Sequence, residues 1–409
     1  MMGNFKYIEG GVCAAKGFQA SGLHVGVKTR NKDKKDLALI VSDKECTAAA
    51  VYTKNLVKAA PLHVTKENLQ DGKARIVFAN SGNANACAPL GEENARRMCK
   101  AISSKLGLSE TDVLVASTGV IGQTLPIEVI ENGIDELISK LSYNGSNDAA
   151  AAIMTTDLTM KEVAVEFSIG GKTVKIGGIA KGSGMIHPNM GTMLAFVTTD
   201  CAISSEMISK VLVNATNLSF NRVSVDGDTS TNDMLTLMAN GLAENEEITK
   251  QGADFDLFSE ALNALCVELA KMVASDGEGA THLITCLVSG AKSEEDAETL
   301  SKSVISSTLT KAAIFGTDAN WGRILCAMGY SGINFNPNDV SIAFESKVGR
   351  IDVCKEGRGL PFDEPTAKKI LTEHDITIAI KINSGTAECT CWGCDITYDY
   401  IRINGDYRT

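Results

Sequence analysis

The residue types best equipped for chemistry lie in the stretch KGSGMIHPNMGTML, residues 181–194. Gly182, Gly184 and Gly191 open backbone shapes closed to other residues, and Thr192 heads the apolar run MLAFV. A threonine that becomes a chain terminus carries its own base. Its free α-amine, with a reference pKa of about 7.7–8.0, can take the proton of the neighbouring hydroxyl. Cleavage of the Gly191–Thr192 bond would create that arrangement. A strained peptide next to a hydroxyl can shift from amide to ester and then hydrolyse, and Gly191 puts little bulk around the attacked carbonyl. The same spacing also reads as a glycine turn feeding a core strand, and spacing by itself leaves both readings open.

The elements around this stretch must position it. Residues 163–169 (VAVEFSI) and 173–179 (TVKIGGI) flank Gly170-Gly171-Lys172 and predict a hairpin that delivers the chain to Lys181. Residues 193–197 predict a buried strand, and helical spacing resumes from Ser204. Residues 75–79 and 113–116 predict two more buried strands, each emptying into a small-residue loop, NSGNANAC and STGVIG. Active-site groups often sit at such strand ends. Phe258, Leu262, Leu265, Leu269 and Val273 predict a helix over 255–273, ended by Ser275-Asp276-Gly277 and followed by a strand over 282–288. The mixture is α/β or α+β, with sheet and helices in layers.

Composition narrows the function classes. Among 409 residues, 39 Lys plus Arg against 50 Asp plus Glu leave a formal charge of −11, with no basic block. That argues against binding a nucleic-acid backbone. No segment reaches the roughly 18 apolar residues of a membrane span, and the N-terminus lacks a basic cap followed by an apolar stretch, so a cytoplasmic location is expected. The 12 cysteines are scattered through the chain, which fits reduced thiols better than a disulfide framework. Asp226, Asp228 and Asp233 in SVDGDTSTND resemble a calcium loop, but the required glycine and distal glutamate are misplaced. Cys389, Cys391 and Cys394 lack a second knuckle for zinc. No metal is expected at either cluster. The glycine-rich loop does not match a P-loop.

The stretch at 181–194 closely resembles the cleavage-site motif of the ornithine acetyltransferase family, also called the bifunctional glutamate N-acetyltransferase family of arginine biosynthesis. The resemblance runs through KGFQASG (16–22), NSGNANAC (80–87), STGVIG (117–122), MTTD (154–157), SVDGDTSTND (224–233), DGEGAT (276–281), DANWGR (318–323) and WGCDITYDYIRINGDYRT at the C-terminus. It implies that Thr192 is the nucleophile, released by self-cleavage into an α chain (1–191) and a β chain (192–409). The family usually has alanine where this chain has Gly191; both are small. Thr118 and Gly119 correspond to the oxyanion-hole pair, and donors aimed at a developing oxyanion can each contribute about 3–4 kcal/mol. The family's substrate-binding pattern maps onto Thr155, Lys181, Thr192, Glu278, Asn404 and Thr409. Lys181 supplies a cation for an α-carboxylate, and Glu278 an anion for an ammonium group or a partner in proton transfer. His187 reads as a structural residue, because the α-amine can do a base's work.

The resemblance further implies a layered α/β sandwich of the self-processing aminopeptidase type, with a smaller C-terminal domain over roughly 285–390 and a C-terminal tail docked in the site. The implied reaction is a ping-pong transfer of acetyl from N-acetyl-L-ornithine to L-glutamate, without cofactor. Acetyl-CoA remains open as a second acetyl donor. The implied assembly is α2β2. Two other readings stand beside this one: an amidohydrolase or aminopeptidase of the same fold, and a non-catalytic amino-acid-binding protein.

Overall fold

The computed structural model describes residues 4–29, 33–187 and 193–406. Gly191, Thr192 and Thr409 lie outside the described residues. In chain order the strands are β1 (Phe5–Ile8), β2 (Phe18–Leu23), β3 (Leu37–Tyr52), β4 (Lys73–Asn83), β5 (Val113–Val120), β6 (Lys161–Ile169), β7 (Lys172–Lys181) and β8 (Leu194–Thr199). They continue with β9 (Val223–Ser224), β10 (Met234–Ala239), β11 (Leu283–Ala291), β12 (Ser341–Ser346), β13 (Gly349–Lys355), β14 (Arg358–Gly359), β15 (Asp375–Lys381) and β16 (Ala387–Cys394). One sheet has the order β1-β6-β7-β8-β10-β3-β4-β5, with β2 also pairing β3; the other runs β14-β13-β12-β15-β11-β16-β9. Helices cover the sheets, which makes the chain a layered α/β sandwich.

The hairpin and the long helix form where their patterns put them. β6 and β7 pair from Lys161↔Ala180 to Ile169↔Lys172, and Gly170 and Gly171 both take positive φ at the turn. The helix spans Ala253–Ser275 and lies between the two sheets. Phe258, Leu262, Leu265, Leu269 and Val273 are fully or almost fully buried in one core with Val165, Ile176 and Val197 of the first sheet and Trp392 of the second. A separate core fills the space between the second sheet and the helices Glu294–Ser306 and Glu364–Leu371.

One expectation changes. STGV and NSGN are not loops: β5 runs through Val120 and β4 through Asn83, paired in parallel with Ser81↔Thr118 and Gly82↔Gly119. Small residues normally signal a turn, but here two glycines meet face to face. Gly119 has φ +131, and a Cβ on it would come 2.4 Å from Gly82 C, so only glycine lets the ladder continue.

Beneath the ends of these elements sits a buried ion network. Lys161 is fully buried, and its Nζ lies 2.7 Å from Asp157 Oδ1 and 2.6 Å from Asp276 Oδ2. Asp157 also accepts from Thr155 N (3.0 Å) and Gly182 N (2.7 Å). Asp276 accepts from Leu158 N (3.1 Å) and Thr159 N (3.2 Å). Burial would raise the Asp157 pKa, but Lys181 and Lys161 together hold it well below the usual carboxylate range. A depressed carboxyl contributes stability that is complete above its unfolded value of about 3.9 and declines as pH falls toward the folded value.

Replacing Lys161 by Met leaves two buried carboxylates without their cation, so urea unfolding at pH 7 should show a loss of about 3–5 kcal/mol. The deficit should shrink toward pH 4 as the orphaned groups take up protons. A loss that is the same at both pH values contradicts the network.

Candidate active site

Six separated parts of the chain meet at one cavity of about 140 Å³, lined among others by Thr118, Gly119, Thr155, Lys181, Asn232, Glu278 and Asn404. All the described residues that the sequence singled out as catalytic or substrate-binding are therefore together. Thr192, Gly191 and Thr409 lie outside the described residues. Met193 leads into β8, which pairs Leu194 with Lys181 on one side and with Met234 on the other.

Each wall has its own anchor. Thr118 and Gly119 ride on the end of β5, where Ser117 Oγ donates to Asn80 Oδ1 (2.6 Å) and Asn80 Nδ2 donates to the Asn83 carbonyl (2.9 Å). From the opposite side Asn232 Nδ2 donates to the carbonyls of Ser117 and Ala84, both at 2.7 Å. A strand end braced in this way can hold a hydroxyl and a backbone N–H without reorganising during a reaction.

Lys181 closes β7, with little of its side chain exposed and its Nζ 4.0 Å from Asp157 Oδ2. Asp157 also grips the Thr155 backbone, so one carboxylate sets the positions of two candidate binding residues. Lys161 lies closer to Asp157 than Lys181 does, and Lys181 also faces the cavity.

Glu278 enters from the turn after the long helix. Its backbone N–H donates to the Ser183 carbonyl (3.1 Å), and Ser183 Oγ donates to the Asp276 carbonyl (2.7 Å). A Cβ on Gly184 would fall 2.5 Å from Glu278 Cδ, so the glycine makes room for that carboxylate. Asn404 Nδ2 donates to Glu278 Oε2 (2.7 Å) and to the Tyr400 carbonyl (3.0 Å). The helix Tyr398–Asp406 that carries Asn404 is tied to the turn by Thr397 Oγ1, which donates to the Gly279 carbonyl (2.7 Å). This helix therefore reaches the cavity through Asn404.

Two readings of motifs acquire definite structure. Asp226 of SVDGDTSTND accepts from the amides of Met185 (2.6 Å) and Ile186 (2.9 Å), shaping the cavity wall. His187 Nδ1 lies 3.0 Å from Ser224 Oγ, at the edge of the second sheet, and burial lowers its pKa. Ser230, Thr231, Asn232, Thr156 and Met185 also line the cavity. Sequence reasoning gave them no role; only their membership of the quoted motifs SVDGDTSTND, MTTD and the cleavage stretch could have pointed to them. Among the described residues no group of three or more His, Cys, Asp or Glu could hold a metal ion, and no helix is long and apolar enough to cross a membrane.

With this geometry in hand, the chain can be set beside known proteins. It is 48% identical over 403 residues to the arginine biosynthesis bifunctional protein ArgJ of Caldanaerobacter subterraneus subsp. tengcongensis, a match covering 98% of this chain and 99% of the relative. It is 47% identical over 393 residues to the arginine biosynthesis bifunctional protein ArgJ 1 of Clostridium acetobutylicum, covering 96% of each. The crystal structure of the arginine biosynthesis bifunctional protein ArgJ from Bacillus halodurans matches with a TM-score of 0.50 and 46% identity, over 52% of this chain and 98% of that one. The family model described as ArgJ family matches residues 19–409. Likeness at this level, over nearly the whole length, means that the chain belongs to the ArgJ family.

Proposed function

We infer that this chain is an acetyltransferase of arginine biosynthesis, moving acetyl from N-acetyl-L-ornithine to L-glutamate through an acetyl-Thr192 intermediate. The observation that carries this reading is the convergence of Thr118, Gly119, Thr155, Lys181, Glu278 and Asn404 on one cavity. The family membership supports the same reaction, and the word bifunctional in the relatives' names supports acetyl-CoA as a second acetyl donor.

Self-cleavage at Gly191–Thr192 gives chains of 191 and 218 residues (409 − 191 = 218). The Bacillus halodurans ArgJ chain is almost wholly covered by about half of this one, which supports a two-chain product. In the cleaved enzyme the α-amine of Thr192 takes the hydroxyl proton as Oγ bonds to the acetyl carbon. Thr118 and Gly119 donate to the oxygen that becomes negative. The carbon–nitrogen bond then breaks, and ornithine leaves as its nitrogen receives the proton. Glutamate reverses these steps: its amine attacks the ester carbon, Thr192 Oγ departs and regains a proton, and N-acetylglutamate forms. Lys181 pairs with the α-carboxylate common to both amino acids, and Glu278, oriented by Asn404, serves an ammonium group or takes part in proton transfer. The chemistry uses no cofactor, since the donor carries the acetyl group in. Exposed Leu309, Tyr398 and Ile401 supply apolar surface for an α2β2 assembly, and a biosynthetic enzyme whose 12 cysteines are all free thiols suits the cytoplasm.

Denaturing electrophoresis of purified protein should give two fragments, one beginning Thr-Met-Leu, and a Thr192→Ala variant should run as a single 43.3 kDa band without activity. Acetylornithine should persist when glutamate is omitted; its rapid loss would identify a hydrolase instead. Thr118→Val should lower kcat by about 10²–10³-fold with KM little changed. Lys181→Met should raise KM for both amino acids by about 10- to 100-fold, the equivalent of one charged hydrogen bond. An unchanged KM for glutamate would remove Lys181 from carboxylate binding.

A further inference from the structure

The turn that presents Glu278 is fastened at both ends by a buried carboxylate. At its start Asp276 is held by Lys161. At its end stands Asp395, which directly follows β16 and is only 4% exposed. β11 and β16 pair as far as Leu283↔Cys394, so Asp395 emerges opposite His282, the residue before β11. Its Oδ1 accepts from the backbone N–H groups of Thr281 (2.8 Å) and His282 (3.0 Å). Its Oδ2 accepts from the Thr281 hydroxyl (2.5 Å) and lies 2.9 Å from His282 Nδ1. The strand end that carries Asp395 is itself tied down, because the buried Lys311 donates from Nζ to the Cys394 carbonyl (2.5 Å).

Between Asp276 and Thr281 lie Gly277, Glu278, Gly279 and Ala280. Ala280 N donates to the Gly277 carbonyl (2.9 Å), which closes a tight turn. Gly279 takes φ +69, and a Cβ on it would come 2.7 Å from Tyr400 N, so the stretch after Asp395 lies directly against the turn. Thr397 Oγ1 donates to the Gly279 carbonyl and Asn404 Nδ2 to Glu278 Oε2, both at 2.7 Å. The segment from Asp395 to Asn404 therefore grips the turn at its end, in its middle and at its carboxylate. These grips differ in kind. Asn404 holds only a side chain, and does so at the surface, whereas Asp395 holds backbone amides away from water.

We propose that Asp395 is a positioning residue for acetyl transfer: by fixing the backbone at Thr281 and His282 it sets where the Glu278 carboxylate stands in the cavity. The proposal rests on the reading of Glu278 as a group that serves an ammonium or takes part in proton transfer. Asp395 is not among the residues that line the cavity, so its effect on the reaction passes through the turn. Without it the turn keeps its hold at Asp276 and at the Ser183 carbonyl but loses its far end. Glu278, three residues before Thr281, would then shift with the freed backbone. A misplacement of about 1 Å that begins far from the chemistry can cost about 10²-fold in rate.

The test is a double-mutant cycle on acetyl transfer from acetylornithine to glutamate, built from Asp395→Ala and Glu278→Gln. Asp395→Ala should lower kcat/KM by about 10²-fold, and the loss should fall on the same parameter, kcat or KM, that Glu278→Gln affects. In the Glu278→Gln background the same substitution should cost less than about threefold more, because a carboxylate already absent cannot be misplaced. Asp395→Asn keeps an oxygen for the two N–H groups and should bring activity back to within about tenfold of the wild type. Losses that multiply in the double variant, or an Asp395→Ala enzyme with wild-type kinetics, overturn the proposal and leave Glu278 in its role. If Glu278→Gln by itself changes neither parameter, the reading of Glu278 fails and the proposal falls with it. Should Asp395→Ala not accumulate, Asp395→Glu takes its place in the cycle. Its extra methylene displaces the turn while keeping a carboxylate, and the same two outcomes decide.

Discussion

The candidate site depends on one positive charge held away from water. Lys161 sits at the start of β6 with carboxylates from two distant parts of the chain at hydrogen-bond distance, and these fasten the backbone at Thr155, Leu158, Thr159 and Gly182. Three pieces are thereby locked together: the turn after the helix Ser146–Ile153, the exit from β7, and the end of the long helix. Removing a charge from water is expensive, and the arrangement is tolerable only because every participant is also hydrogen-bonded. The return is positional. Thr155, Lys181 and Glu278 all hang from the network within a few residues.

The second constraint is that the proposed cut falls between two strands that pair with each other. β7 lies before the proposed cut and β8 after it, yet the two are hydrogen-bonded neighbours from Ile176↔Thr199 to Lys181↔Leu194. β10, also after the cut, pairs with β3. Cutting the chain therefore divides a covalent connection without dividing the sheet, and separating the two pieces would expose unpaired edges and the core beneath the long helix. A site assembled from both pieces can survive the loss of the bond that joined them.

The wall that carries Thr118 and Gly119 follows a different logic. A hydroxyl and an amide useful to a developing charge must already point the right way, so they need support that does not relax. Two glycines in contact bring β4 and β5 closer than side chains would allow, and Asn80 and Asn232 brace the strand end from opposite sides. Glu278 is the more adjustable partner. It sits on a turn and is held by Asn404 from a short surface helix.

Much of this was written in local pattern. Helical spacing located the long helix, paired glycines the β6–β7 turn, and motif resemblance the residues that line the cavity, because each depends on near neighbours or on a family's shared residues. The strand character of STGV was hidden, since small residues ordinarily mark turns and only the contact between Gly82 and Gly119 reverses that meaning. Asp226, read from its spacing against a metal loop, instead holds a turn by its amides. Lys161 and Asp276 are 115 residues apart, and no period or spacing can announce a bond of that range. Sequence by itself determined the periodic elements and the chemical types at the site, because those follow from side chains and their neighbours. Tertiary structure decided which charges are buried and which groups face one another, because burial and long-range pairing exist only once the chain has closed on itself.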